Sequence, residues 1–161
     1  MRLALFQPEI PQNTGTLIRL GACMGVGIDV IEPCGYVWDD ARLKRAGMDY
    51  MELANVTRHS SWEMFYQQIK PARLILLDTK ATIGYLNFEF KPSDILMVGR
   101  ESDGVPDDVF KACNFQVKIP MLSERRSLNV AVAASIVLGE ALRQTQGGSS
   151  HDNLGAKTNS I

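Results

Sequence analysis

The sequence predicts an α/β protein: a parallel sheet flanked by helices. Two observations carry this. Short apolar runs alternate with segments of helical character, and several of those runs are apolar at every position, as strands covered on both faces must be. The chain has 161 residues, 45% hydrophobic and 22% charged, which suits one globular domain and excludes full disorder.

The elements follow in order. Residues 2–6 (RLALF) read as a buried strand, ended by Pro8 and Pro11. Asn13 is placed to cap a helix through Leu17, Ile18, Leu20 and Met24, which Gly25 and Gly27 end. Residues 28–32 (IDVIE) read as a second strand. A short helix over Asp39–Arg45 and a weak strand over 51–56 come next. Ser60 or Ser61 caps a helix from Trp62 to Ile69. Strands are expected at 73–78 (RLILLD) and 94–99 (DILMVG), a short helix from Pro106 to Ala112, and a strand at 115–120 (FQVKIP). A long helix from Leu128 to Gln144 closes the domain, 1–144. The polar segment 145–161 reads as a disordered tail, and His151 within it is a poor catalytic candidate.

Two helices are unusual. Val130–Leu138 reads VAVAASIVL, apolar on every side except Ser135, so burial all round is expected, by internal threading or at a subunit interface. The first helix is apolar or small around Arg19, which must be paired or face a polar site.

Composition limits the function. Seventeen Lys and Arg against eighteen Asp and Glu give a net charge of −1, so any RNA contact must come from a local patch rather than bulk charge. Cys23, Cys34 and Cys113 form no CxxC pair and read as buried thiols of a reduced protein. Neither His59 nor His151 adjoins a cysteine, so no metal site is expected. His59 reads as a surface histidine. The apolar start is too short for a signal peptide, and no run reaches the ~20 apolar residues of a membrane span, so the expected location is the cytoplasm.

Three loops follow strands and precede helices, where open α/β sheets place their ligands. Glu9–Gly15 offers Pro11, Asn13 and Gly15, and reads locally as a cap and turn or as a ligand-side loop. Gly99–Pro106 (GRESDGVP) lacks the Lys-Ser/Thr of a P-loop and does not match GxGxxG, which argues against a nucleotide-phosphate site. Ile119–Asn129 carries Arg125, Arg126 and two capping residues, Ser127 and Asn129. Three such loops at one sheet edge would make one pocket. Arg42, Lys44 and Arg45, flanked by Trp38 and Tyr50, are a solvated helix face or an RNA-backbone contact with rings nearby.

In order and spacing, PEIPQNTGTLIRL, IEPCGYVWDDARLKRAGMDY, TRH, GRESDGVP and KIPMLSERRSLNVAVAAS resemble the SPOUT methyltransferases, closely the TrmL/YibK subfamily, over residues 2–144. The resemblance implies a C-terminal deep trefoil knot, a homodimer, and transfer of a methyl group from S-adenosylmethionine to the ribose 2′-OH of the wobble nucleotide, position 34, of tRNA. Its implied carriers are leucine isoacceptors, gripped at the anticodon stem-loop, and its product is S-adenosylhomocysteine. By motif, the cofactor contacts are Leu77, Gly99, Ile119 and Ser127, with Met121, Leu128 and Asn129 beside them. Arg19 is matched to the motif-one arginine that polarises or helps deprotonate the 2′-OH, and Asn13 and Glu101 to residues that order the site. Candidate RNA contacts are Arg42, Lys44, Arg45, Arg58, Arg125 and Arg126. An rRNA 2′-O-methyltransferase or a non-catalytic RNA-binding knot protein is the alternative. Arg100 stands where the family usually has proline, loosening the loop and adding a charge beside the pocket.

Overall fold

The computed structural model describes residues 1–38, 54–122 and 127–146. The expected helix at 39–45, most of the strand expected at 51–56, and the tail beyond 146 lie outside the described residues. Seven strands form one sheet: β1 (Arg2–Phe6), β2 (Gly27–Ile31), β3 (Val56–His59), β4 (Leu74–Leu77), β5 (Ile83–Gly84), β6 (Ile95–Val98) and β7 (Phe115–Lys118). Every strand pair is parallel, in the order β3-β2-β1-β6-β4-β7-β5. The helices are α1 (Pro11–Met24), α2 (Trp62–Gln68), α3 (Asp107–Ala112) and α4 (Val130–Gln146).

Alternation along the strands explains why they are apolar throughout. Leu3 and Leu5 of β1, Ile75 of β4, and Leu96 and Val98 of β6 pack with α1 and α4 on one face. Ala4, Phe6, Leu74, Leu76, Ile95 and Met97 pack with α2 and α3 on the other. One buried carboxylate within the strands interrupts this pattern. Asp29 of β2 is buried and accepts from Arg2 Nε at 2.6 Å, with His59 Nε2 2.8 Å away.

Several boundaries differ from the sequence reading. Asn13 does not cap α1. Pro11 takes the first turn, where its fixed φ suits a helix start, so α1 begins before Asn13 and Ile10 is the N-cap. Its other end matches: Gly25 turns left-handed at φ 67°. The third strand runs over Val56–His59, later than expected; with Thr57 and Arg58 exposed at the sheet edge, its alternation is masked. Ser61 caps α2 by accepting from Met64 N at 3.3 Å. The two-residue β5 and the 3₁₀ turn Tyr85–Asn87 were not expected, being too short to show a period.

His59 is buried rather than on the surface, because Asp29 gives its ring a partner and Phe65 packs against it at 5.1 Å. Of the cysteines, only Cys113 is buried, its thiol pushed up to about 12 by desolvation and then by Asp78; Cys34 is half-buried and Cys23 exposed. In α4, Ala131, Ala134, Val137, Leu138, Ala141 and Leu142 are buried, yet Val132 and Ile136 are 49% and 38% exposed. A single chain therefore covers one side of this helix, not all of it. Arg19 is exposed on α1, on a stripe with Gln12, Thr16 and Cys23. No described helix is long and apolar enough to cross a membrane.

Candidate active site

Strand order decides where a site forms. From β1 the chain moves outward to β2 and β3 on one side, and then to β4, β6 and β7 on the other. The helix after β1 packs on one face of the sheet and the helix after β6 on the other, so the chain switches faces between these neighbouring strands, where open sheets bind ligands. The loops after β1, β4, β6 and β7 enclose a cavity of about 580 Å³ there.

All seven residues matched to cofactor contacts line it: Leu77, Gly99, Ile119, Met121, Ser127, Leu128 and Asn129. Asn13 and Glu101 line it as well. Arg19, six residues beyond Asn13 on α1, does not. The remaining walls mix apolar Ile10, Val98 and Val117 with three acids (Asp78, Glu101, Asp103) and three bases (Lys80, Arg100, Lys118).

One chain of hydrogen bonds joins three of these loops. Asn129 Oδ1 accepts from the N–H groups of Ala131 at 2.9 Å and Val132 at 3.3 Å, capping α4. That fixes its amide, because backbone N–H only donates. Asn129 Nδ2 then donates to Asn13 Oδ1 at 3.0 Å, and Asn13 Nδ2 donates to Glu101 Oε1 at 3.0 Å. Glu101 Oε2 accepts from Glu9 N–H at 2.8 Å. The Glu9 carboxylate answers by accepting from Ser102 N at 2.8 Å and Ser102 Oγ at 2.9 Å. Each amide has one orientation that satisfies every partner, so the loops are locked in register.

The Gly99–Gly104 loop is pinned to itself. Arg100 and Gly104 exchange backbone hydrogen bonds of 2.8 and 3.2 Å, and Gly104 has φ 73°. A Cβ on Gly99 would stand 2.6 Å from the Gly104 carbonyl carbon, so glycine is required there by close approach.

Beyond the cavity, Tyr36 donates to Thr14 Oγ1 at 2.8 Å and stacks on Trp38 at 6.4 Å. Burial pushes the Tyr36 phenol well above its ordinary range, so it stays a donor. Arg58 lies over Trp38 at 4.8 Å and pairs with Glu32 through Nε at 2.7 Å. Arg42, Lys44, Arg45, Arg125 and Arg126 lie outside the described residues. Glu9, Asp78 and Asp103 were not singled out from sequence as site residues; for Asp78, the signal was its place directly after the apolar run of β4. Among the described residues, no group of three His, Cys, Asp or Glu could hold a metal ion.

A family model described as the SpoU rRNA Methylase family matches residues 1–139. The tRNA (cytidine(34)-2′-O)-methyltransferase of Beijerinckia indica subsp. indica is 52% identical over 144 residues, covering 88% of this chain and 90% of its own. The protein of that name from Escherichia coli (strain K12) is 42% identical over 146 residues, covering 89% and 93%. A solved structure described as giving structural insights into the 2-OH methylation of C/U34 on tRNA has a TM-score of 0.85 at 36% identity, covering 91% of this chain and 96% of that one. The SpoU methyltransferase AviRb from Streptomyces viridochromogenes, in complex with the cofactor AdoMet, has a TM-score of 0.82 at 26% identity, covering 89% of this chain and 60% of that one.

Proposed function

The chain belongs to the SpoU rRNA Methylase family, and from that premise we propose that it transfers a methyl group from S-adenosylmethionine to the ribose 2′-O of nucleotide 34 in tRNA. Cytidine or uridine at that position, leucine isoacceptors as carriers and a cytoplasmic location complete the reading. The observation that carries it is the Glu101–Asn13–Asn129 network on a cavity between strand-end loops.

The residues suit the cofactor. A cavity of about 580 Å³ is within the range of small-molecule sites, roughly 300–1,000 Å³. Apolar walls of Leu77, Val98 and Ile119 suit an adenine ring, and the carboxylates of Asp78, Glu101 and Asp103 suit a cationic sulfonium. Leu77, Gly99, Ile119, Met121, Ser127, Leu128 and Asn129 would hold it. When bound, it supplies an electrophilic methyl group on sulfur.

What remains for the protein is alignment and charge. A ribose hydroxyl is a weak acid, so the oxygen must be held in line and its developing negative charge stabilised. Asn13, fixed on both sides, sets the position of Glu101, and the α4 cap sets the position of Asn13. Arg19 supplies the cation that polarises the 2′-OH. Because it lies outside its own chain's cavity lining, this reading gives it to the cavity of a second copy. The exposed Val132 and Ile136 on α4, which packs beside α1, supply an apolar face for that homodimer. The C-terminal trefoil knot belongs to the same proposal, with α4 as the threaded element.

Calorimetry with S-adenosylmethionine, combined with nucleoside analysis of tRNA from cells lacking the protein, tests the proposal. Saturable binding and loss of 2′-O-methylation at position 34 are expected. Absence of both would refute it.

A further inference from the structure

Arg100 lines the cavity, yet its side chain is not satisfied by the protein. Its Nε–H is buried with no hydrogen-bond acceptor among the described residues. Among the described residues its only ion pair is with Asp103, whose carboxylate oxygens stand at 3.5 Å and whose side chain is 65% exposed, so solvent screens the attraction. The carboxylates of Glu101 and Glu9 are committed elsewhere: Glu101 accepts from Glu9 N–H and Asn13, and Glu9 accepts from Ser102. The root of the side chain is nevertheless fixed by the two backbone hydrogen bonds to Gly104. The guanidinium lies 5.5 Å from the centre of the buried Phe6 ring, a low-dielectric seat that strengthens its bond to any incoming anion.

Its place along the sheet says which anion. Of the residues matched to the cofactor, Leu77 ends β4, Gly99 follows β6, and Ile119, Met121, Ser127, Leu128 and Asn129 follow β7. Phe6 ends β1, on the other side of β6. From its place beside Gly99, the Arg100 side chain therefore reaches away from the cofactor residues at β4 and β7, toward the β1–β2–β3 side that also carries Arg58 and Trp38. A guanidinium at the cavity wall, 26% exposed and with its buried Nε–H unused by the protein, suits a phosphate oxygen in charge and in fork geometry.

We propose that Arg100 binds a phosphodiester oxygen of the RNA substrate beside the reacting ribose, and so positions the RNA rather than the cofactor. The inference rests on the RNA methyltransferase reading, and the test separates the two. Binding of an anticodon stem-loop RNA is measured across a salt series for the wild type, Arg100→Met and Arg100→Lys, with S-adenosylhomocysteine binding measured in parallel by calorimetry. Arg100→Met is expected to weaken RNA binding about tenfold at moderate salt and to lower the slope of log K against log salt by about one. Arg100→Lys keeps the charge but lacks the Nε–H, and is expected to restore the slope while leaving affinity several-fold weak. Binding of S-adenosylhomocysteine should stay within about twofold of wild type in both variants. An unchanged RNA affinity and slope in Arg100→Met would overturn the proposal. So would a selective loss of S-adenosylhomocysteine binding, which would assign Arg100 to the cofactor's carboxylate. Wild-type protein that shows the salt-dependent Arg100 effect but transfers no methyl group would refute the functional reading and leave this contact standing.

Discussion

Asn129 donates its side-chain amide to Asn13 Oδ1 at 3.0 Å, across 116 residues of chain. The bond joins the N-terminus of α4 to the first turn of α1 and leaves Asn13 Nδ2 aimed at Glu101. Two loops that hold the cavity are thereby set by one amide.

Asn13→Ala removes both bonds at once. Glu101 keeps Glu9 N–H as a partner but loses its lateral anchor. A stability cost of about 1–2 kcal/mol is expected for the two lost hydrogen bonds. The effect on turnover should be larger, about 100-fold, since small misplacements in an aligned transfer are costly. Denaturant unfolding and steady-state kinetics read the two separately.

Gly99→Ala tests the loop by sterics. The new methyl group would sit 2.6 Å from the Gly104 carbonyl carbon and 2.7 Å from its Cα. Backbone cannot yield as a flexible side chain would, so the Arg100–Gly104 bridge should open. A loss of about 1–3 kcal/mol is expected, together with weakened S-adenosylmethionine binding in calorimetry. Wild-type affinity would show that the loop does not shape the cavity.

The sequence made the centre of the sheet plain and hid much of the site. Ile95–Val98 and Leu74–Leu77 are apolar runs with breakers nearby, so local pattern suffices for them. β5 has two residues and no period to read. Asn13 looked like a cap because the local pattern of a helix start does not reveal a partner 116 residues away. His59 looked exposed for the same reason, its partner Asp29 lying 30 residues earlier on a neighbouring strand. From local pattern the cavity's lining was legible only as a set of strand-end loops, since order in the sheet, not order in the chain, brings β1, β6, β4 and β7 together; it was the family resemblance that named nine of its residues one by one.

Ile136→Asp places a charge on the exposed apolar side of α4, where Ile136 is 38% exposed in one chain. If this face joins two copies, sedimentation should show the variant as monomer at concentrations where the wild type is a dimer. Circular dichroism of the variant should stay that of a folded protein. A dimeric variant would move the interface elsewhere.

Glu140 gives a pH signature. Arg143, and after it Gln144, hold its carboxyl down at about 2 from an ordinary 4.5. A folded-state value below the unfolded one means the contribution is present above about pH 4.5 and lost as pH falls toward 2. Gln144 also donates to Phe88 O at 3.1 Å and accepts from Phe90 N–H at 2.9 Å, so this cluster ties α4 to the segment before β6. Thermal midpoints of Glu140→Gln should fall less steeply over that window than those of the wild type. Parallel curves would remove Glu140 from the acid response.

The central claim is methyl transfer to one ribose, and reconstitution tests it most directly. Purified wild-type protein and Arg19→Ala are each incubated with S-adenosylmethionine and unmodified tRNA, and the nucleoside at position 34 is identified by mass spectrometry. Wild type should yield the 2′-O-methylated nucleoside at position 34 alone. Arg19→Ala, changed at an exposed residue, should stay folded and lose about 100-fold or more in rate. An unmethylated position 34 with wild-type protein, or full turnover by Arg19→Ala, would contradict the account.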